Sequence, residues 1–103
     1  MANMNDLMRQ AQVMQNKIAK MQQEMQERTV DTSAGGGMVK VVMNGRQELV
    51  SLTIDPKVME DGDVEMLQDL ILSAVNEGVR ITRANLEREM ANLSGGIRIP
   101  GMF

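Results

Sequence analysis

Near the start of the chain, Met4, Leu7, Ala11, Met14, Ile18, Met21 and Met25 recur at alternating intervals of three and four. That spacing puts apolar side chains on one stripe of an α-helix, the seam of a helix laid along a helical partner. The residues between them are mainly Gln, Lys, Arg, Asn and Glu, good helix formers for the most part. The pattern predicts a helical arm over 5–27, with Asn5 or Asp6 as its cap. The period then changes. Residues 28–33 alternate about Val30 and include Thr29 and Thr32, which reads as a short first strand. Gly35, Gly36 and Gly37 follow, each costing about 1 kcal/mol in a helix relative to alanine, so they read as a turn. Two β-branched-rich runs, 38–43 and 48–54, flank the hairpin signal Asn44-Gly45. Asp55-Pro56 closes the second run, because proline lacks the ladder donor and restricts the residue before it. Together, 28–54 read as a three-stranded antiparallel sheet. On the hairpin, Val39, Val41 and Met43 share one face with Val50, Leu52 and Ile54 opposite them. Met38, Val42 and Leu49 point the other way.

Beyond Pro56, residues 57–62 read as a short acidic connector. Asp63 is placed to cap a second helix, with Glu65 in its first turn complementing the helix dipole. Val64, Leu67, Leu70, Ile71, Ala74, Val75, Gly78, Thr82, Leu86 and Leu93 make a broad apolar face, which predicts a helix over 63–93. Gly78 within that face suits close backbone approach or a bend. Ser94-Gly95-Gly96 ends the helix, leaving 94–103 as a flexible tail. The fold class is therefore α+β in the order α-β-β-β-α, one domain over 1–103. Two long helices and one small sheet leave apolar surface and two sheet edges uncovered in a single chain. A homodimer meets both needs, with Val39, Val41, Val50 and Leu52 assigned to the contact between chains.

Composition narrows the chemistry. The 103 residues contain no His and no Cys, which removes imidazole acid–base catalysis, thiolate nucleophiles, disulfides and the usual transition-metal ligands. Ser33, Ser51, Ser73 and Ser94 have no histidine to activate them, and Asp61 and Asp63 lack the spacing of a calcium loop. No catalytic residues, no metal, no cofactor and no small-molecule substrate are expected; the chain does not read as an enzyme. No apolar run approaches the ~20 residues of a membrane span, and the polar start is unlike a signal peptide. The expected setting is cytoplasmic, with no membrane partner.

Phe103 is the only aromatic residue, which argues against a stacking platform for single-stranded nucleic acid. The net charge of −3 says less than its distribution does. Asp55, Glu60, Asp61, Asp63, Glu65 and Asp69 crowd one segment against Lys57 alone. On the first helix, Arg9, Lys17 and Lys20 fall within roughly 80° of one another, away from the apolar stripe. On the second, Arg80 and Arg83 stand one turn apart off the apolar face, with Arg88 beyond them. These six are the candidate phosphate contacts; solvated helix faces are the plainer alternative. Methionine-rich stripes also suit an adaptable protein–protein interaction module, or a holdase-like clamp on unfolded chains.

The residues carry a resemblance as well. The Met/Gln-rich first helix, Gly35-Gly36-Gly37-Met38-Val39-Lys40-Val41, Asn44-Gly45 and Ile54-Asp55-Pro56 are similar to the YbaB/EbfC family of bacterial nucleoid-associated proteins. So are Asp63-Val64-Glu65-Met66-Leu67-Gln68-Asp69-Leu70, Ala74-Val75-Asn76, Gly95-Gly96 and the terminal Pro100-Gly101-Met102-Phe103. The matching segments keep one order over nearly the whole chain. The resemblance implies a tweezer-like homodimer, a central sheet bearing protruding helices, that binds double-stranded DNA with little sequence preference. It further implies association with the nucleoid and links to gene regulation or to recombination and repair.

Overall fold

Asn3 starts the first helix: its side-chain Oδ1 accepts the backbone N–H of Asp6 at 2.8 Å. The cap is thus Asn3 rather than Asn5 or Asp6, and helix α1 runs Met4–Glu27. The computed structural model describes residues 3–93; the expected tail at 94–103 lies outside them. After α1 come β1 (Thr29–Ala34), β2 (Val39–Asn44) and β3 (Leu49–Ile54), one antiparallel sheet in the order β1-β2-β3. A short helix α2 (Pro56–Glu60) replaces the expected connector. Asp55 caps it by accepting the N–H of Lys57 at 2.9 Å, and Pro56 sits in the first turn, where its missing N–H has no partner to lose. Helix α3 (Val64–Leu93) is capped by Asp63, which accepts the N–H of Met66 at 3.0 Å.

Both hairpin turns depend on left-handed backbone. Between β1 and β2, Gly35, Gly36 and Gly37 all have positive φ, which only glycine adopts at no steric cost. Between β2 and β3 the positive φ falls on Gln47, not on Gly45. The N–H of Gln47 bonds to the Asn44 carbonyl at 3.0 Å, and the N–H of Asn44 bonds to the Glu48 carbonyl at 3.0 Å. This is the three-residue loop with a left-handed third position, not the two-residue turn that Asn-Gly usually signals. The Asn44 side chain organises it, its Oδ1 accepting the N–H groups of Arg46 and Glu48 at 2.9 and 3.0 Å.

Gly45 serves a different need. A Cβ there would lie 1.7 Å from the carbonyl oxygen of Met25, so the turn abuts the backbone of the last turns of α1. Helix and hairpin are joined at a point where no side chain fits.

The core lies between α3 and the sheet. Ala74, Gly78 and Thr82, each one turn after the last, are the buried positions of α3. Their small size brings the helix axis close to β2, where Val39, Val41 and Met43 are buried. Leu67, Leu70, Ile71 and Val75 pack around that centre. Gly78 therefore serves close approach: α3 continues unbroken through it, and a Cβ would meet the Met43 Sδ at 3.4 Å. The buried Thr32 of β1 donates from Oγ1 to the Ala74 carbonyl at 2.7 Å, fastening the sheet to the helix. Val64 and Leu86, expected on the same apolar face, lie beyond this contact and stay exposed.

Coverage is uneven across the sheet. Helix α3 packs on β1 and β2, whereas β3 is exposed along nearly its whole length. The register pairs Val39 with Ile54 and Val41 with Leu52, then slips between Val42 and Met43 so that Met43 pairs with Leu49. The slip leaves Val50 outside the pairing with β2, where strict alternation had set it in the row of Leu52 and Ile54. The assignment of Val39 and Val41 to a contact between chains also changes: both are wholly enclosed by their own α3. Val50 and Leu52, at 57% and 40% exposure, are the members of that set which remain open.

Two substitutions test this account of the hairpin. Gly45→Ala forces α1 off the turn and is expected to cost at least about 1–3 kcal/mol, read as a lower urea midpoint; an unchanged midpoint would contradict the contact. Gln47→Gly relieves the left-handed strain of about 1–2 kcal/mol, less glycine's own entropic cost, and is expected to raise the midpoint.

Candidate nucleic-acid interface

The heptad stripe of α1 is covered only at its base. Exposure along it rises from 7% at Met25 and 9% at Met21 to 37% at Met14, 52% at Leu7 and 71% at Met4. The covering surface is the outer part of α3, where Glu89, Met90 and Leu93 are half-buried while Glu87, Arg88, Ala91 and Asn92 are exposed. Arg28, directly after α1, reaches Glu89 at 3.6 Å. The first three turns of α1 stand clear of the body. The dimensions agree: 71 × 25 × 16 Å, with a radius of gyration of 19.9 Å against about 13 Å for a compact chain of this length.

The candidate cations occupy different electrostatic settings. Arg9 forms an ion pair with Asp6 at 2.7 Å on the exposed arm. Lys17 and Lys20 are exposed, and neither enters an ion pair among the described residues. An open groove lined by Arg9, Gln10, Val13, Met14 and Lys17 runs along the outer arm. On α3, Arg80 donates from Nε to Glu77 at 3.0 Å. That hydrogen bond holds the Glu77 carboxyl below its ordinary value and raises the Arg80 guanidinium further. Arg88 donates to the Asn85 side-chain oxygen, and Arg83 is exposed. The arm cations and the α3 cations thus lie on separate helices, joined among the described residues by the Arg28–Glu89 pair at the base of α1. Of the six candidates, Lys17 and Lys20 on the arm and Arg83 on α3 are exposed and outside any ion pair among the described residues.

Sequence reasoning passed over three further cations. Arg28 lies at the junction of α1 and α3. Arg46 in the second turn donates to Gln26 at 3.3 Å, which sets it beside the base of the arm. Lys40 lies on the sheet face away from α3, in a shallow concavity lined also by Asp31, Ser33, Ser51 and Thr53. The alternation of β2 was signal enough to place Lys40 on that face. The positions of Arg28 and Arg46 follow from the docking of hairpin on helix and had no local signature.

The geometry also bears on the alternatives. Burial of Met21 and Met25 withdraws them from any clamp for unfolded chains, whereas Met4, Met8 and Met14 remain open. No helix among the described residues is long and apolar enough to cross a membrane.

Residues 1–97 match the YbaB/EbfC DNA-binding family. A nucleoid-associated protein of Moorella thermoacetica is 56% identical over 101 residues, covering 98% of this chain and 97% of that one. One from Thermoanaerobacter pseudethanolicus is 52% identical over 101 residues, covering 98% and 91%. The crystal structure of an uncharacterized protein from Helicobacter pylori superimposes with a TM-score of 0.78 at 28% identity, covering 90% of this chain and 98% of that one. A projecting, cation-bearing arm on an α-β-β-β-α body stands beside a sequence match that runs nearly from end to end; the chain belongs to the YbaB/EbfC DNA-binding family.

Proposed function

We propose that the chain acts as a homodimer at the nucleoid, holding duplex DNA mainly through phosphate contacts from Arg9, Lys17, Lys20, Arg80, Arg83 and Arg88, with little sequence preference. The observation that carries the reading is the exposed polar face of α1, with Lys17 and Lys20 in the middle of the helix, exposed and outside any ion pair among the described residues. A rigid helix presenting such ammonium groups clear of the body can reach a phosphate backbone with little steric hindrance. Ammonium–phosphate contacts release counterions, carry no base information and position the protein on the duplex. The amides Gln10, Gln12 and Asn16 on the same arm supply generic hydrogen bonds. The acidic residues near α2 gather at the start of α3, away from the arm, which lets a chain of net charge −3 present a positive surface.

Dimerisation is supported by what one chain leaves uncovered. A compact chain of 11.4 kDa exposes about 5,800 Å², whereas this chain exposes 7881 Å². The surplus, roughly 2,000 Å² per chain and so about 4,000 Å² over two, falls in the range of total surface that obligate homodimers bury. Strand β3 is an open edge carrying exposed Leu49, Val50 and Leu52 without a charge or proline to blunt it. It is the edge best suited to pair with a second copy, and a two-fold axis there duplicates both sets of cations.

Three measurements test the reading. Charge reversal at Arg9, Lys17 and Lys20 is expected to weaken duplex binding at low salt by roughly 10-fold or more, and neutralising them to flatten the salt slope by about 1 for each phosphate that no longer meets a cation. Affinity that ignored salt would sink the phosphate mechanism. Glu77→Gln frees Arg80 and removes a carboxylate, so tighter duplex binding is expected; unchanged affinity takes Arg80 out of the interface. For the dimer, Val50→Glu with Leu52→Glu is expected to halve the mass in sedimentation velocity, and a retained dimer would place the contact elsewhere.

A further inference from the structure

The α1 stripe changes role halfway along. Met21 and Met25 are buried at the base of the arm, but the same heptad series continues outward as Met4, Leu7, Ala11 and Met14, which are exposed and without cover from the other described residues. We infer that this outer stripe is the docking site for the α1 arm of a second copy, the two arms lying antiparallel.

Three observations choose that occupant. The first is continuity: the uncovered residues extend an interhelical seam that the chain already uses at its base, and a heptad seam is completed by another helix. The second is self-complementarity. In an antiparallel pair the first core position of a heptad faces the fourth of the other helix. Aligning the arms over their four uncovered positions sets Met4 opposite Met14, and Leu7 opposite Ala11, in both directions. Each large side chain of the inner layers then meets a small one, the fit that fills a helix interface without voids. The third is charge. Positions beside the seam bring Met8 against Met8, Gln10 against Gln10, and Lys17 against Asn3, so no like charges are pressed together. Arg9 and Lys20 fall on the far side of each helix from the seam and stay free for other contacts.

The overlap covers residues 4–14, about 16 Å of helix. Four layers make a weak contact alone, so the pairing strengthens where copies are concentrated, as on a shared polymer. Its consequence for the proposed function is a bridge between separately bound copies. The arm contact itself does not rest on that function, and it is separate from the β3 edge, so either contact can fail alone.

The absence of native cysteine makes the test clean, because each engineered thiol reports alone in the full-length chain. Chains carrying Leu7→Cys are mixed with chains carrying Ala11→Cys under mild oxidation. The mixed disulfide is expected to form several-fold more than when Val13→Cys, off the seam, replaces Leu7→Cys. A mixed yield no better than that control overturns the inference, and so does a higher yield from Ala11→Cys alone, which would mean parallel arms. Sedimentation supplies the second readout. Leu7→Glu with Met14→Glu alters only exposed positions and is expected to lower the mass at high concentration below that of the unaltered chain. A mass unchanged at every concentration overturns the pairing and gives the stripe to another occupant. Combined with Val50→Glu and Leu52→Glu, the arm substitutions are expected to leave a folded monomer by circular dichroism. If the arm pair alone already reduces a dimer to a monomer, the arm contact stands and the β3 reading falls.

Discussion

How closely α3 can lie on β1 and β2 sets everything else in this molecule. Ala74, Gly78 and Thr82 present almost no side-chain bulk at the crossing, and Val39, Val41 and Met43 fill the space beneath them. The Thr32 hydroxyl bonded to the Ala74 carbonyl fixes the helix against the first strand in a place where water cannot compete. Because the helix is centred there, its outer part continues toward the base of α1, where Glu89 meets Arg28. The arm is thus aimed by a contact several turns away from it.

The same placement accounts for what is left bare. One helix cannot cover three strands, and α3 covers the two that precede the last turn. Strand β3 keeps an apolar open edge, and α1 keeps an apolar outer stripe, while the centre is fully enclosed. A chain with a well-made core and two uncovered apolar surfaces is built for company. Its charges are arranged consistently with that: carboxylates gather around α2 and the start of α3, while Lys17 and Lys20 stand exposed on the arm. Segregation of this kind lets an acidic protein approach a polyanion from one side only.

Methionine suits both lives of the α1 stripe. At the base, Met21 and Met25 fill an irregular space between a helix and a turn, and Arg28 rests on the Met25 sulfur at 3.5 Å. Further out, the same flexible thioethers make an adaptable exposed surface. One repeating pattern therefore runs from a buried base to an exposed outer surface, with the half-buried Ile18 between them.

Much of the fold was legible along the chain, because each element had a local physical signature. The heptad spacing marked α1, the glycine run and Asn44-Gly45 marked the turns, and the cap at Asp63 was a side chain of the right kind in the right place, whereas Asp55-Pro56 read only as the end of a strand and not as the start of α2. Family membership was legible for the same reason, as an ordered series of such signatures. What the chain could not declare were contacts between elements. Asn44-Gly45 signals a two-residue turn, yet Gly45 is required by the Met25 carbonyl of a distant helix, and the left-handed residue is Gln47. Val39 and Val41 are as apolar as Val50 and Leu52, but only the reach of α3 decides which pair is enclosed. By contrast, Lys17 and Arg80 both read as candidate phosphate contacts, and Glu77, three residues before Arg80 on the same helix, was a local signal that separates them. Periodicity determines which face of an element is apolar; the tertiary structure alone decides how far along that face another element extends.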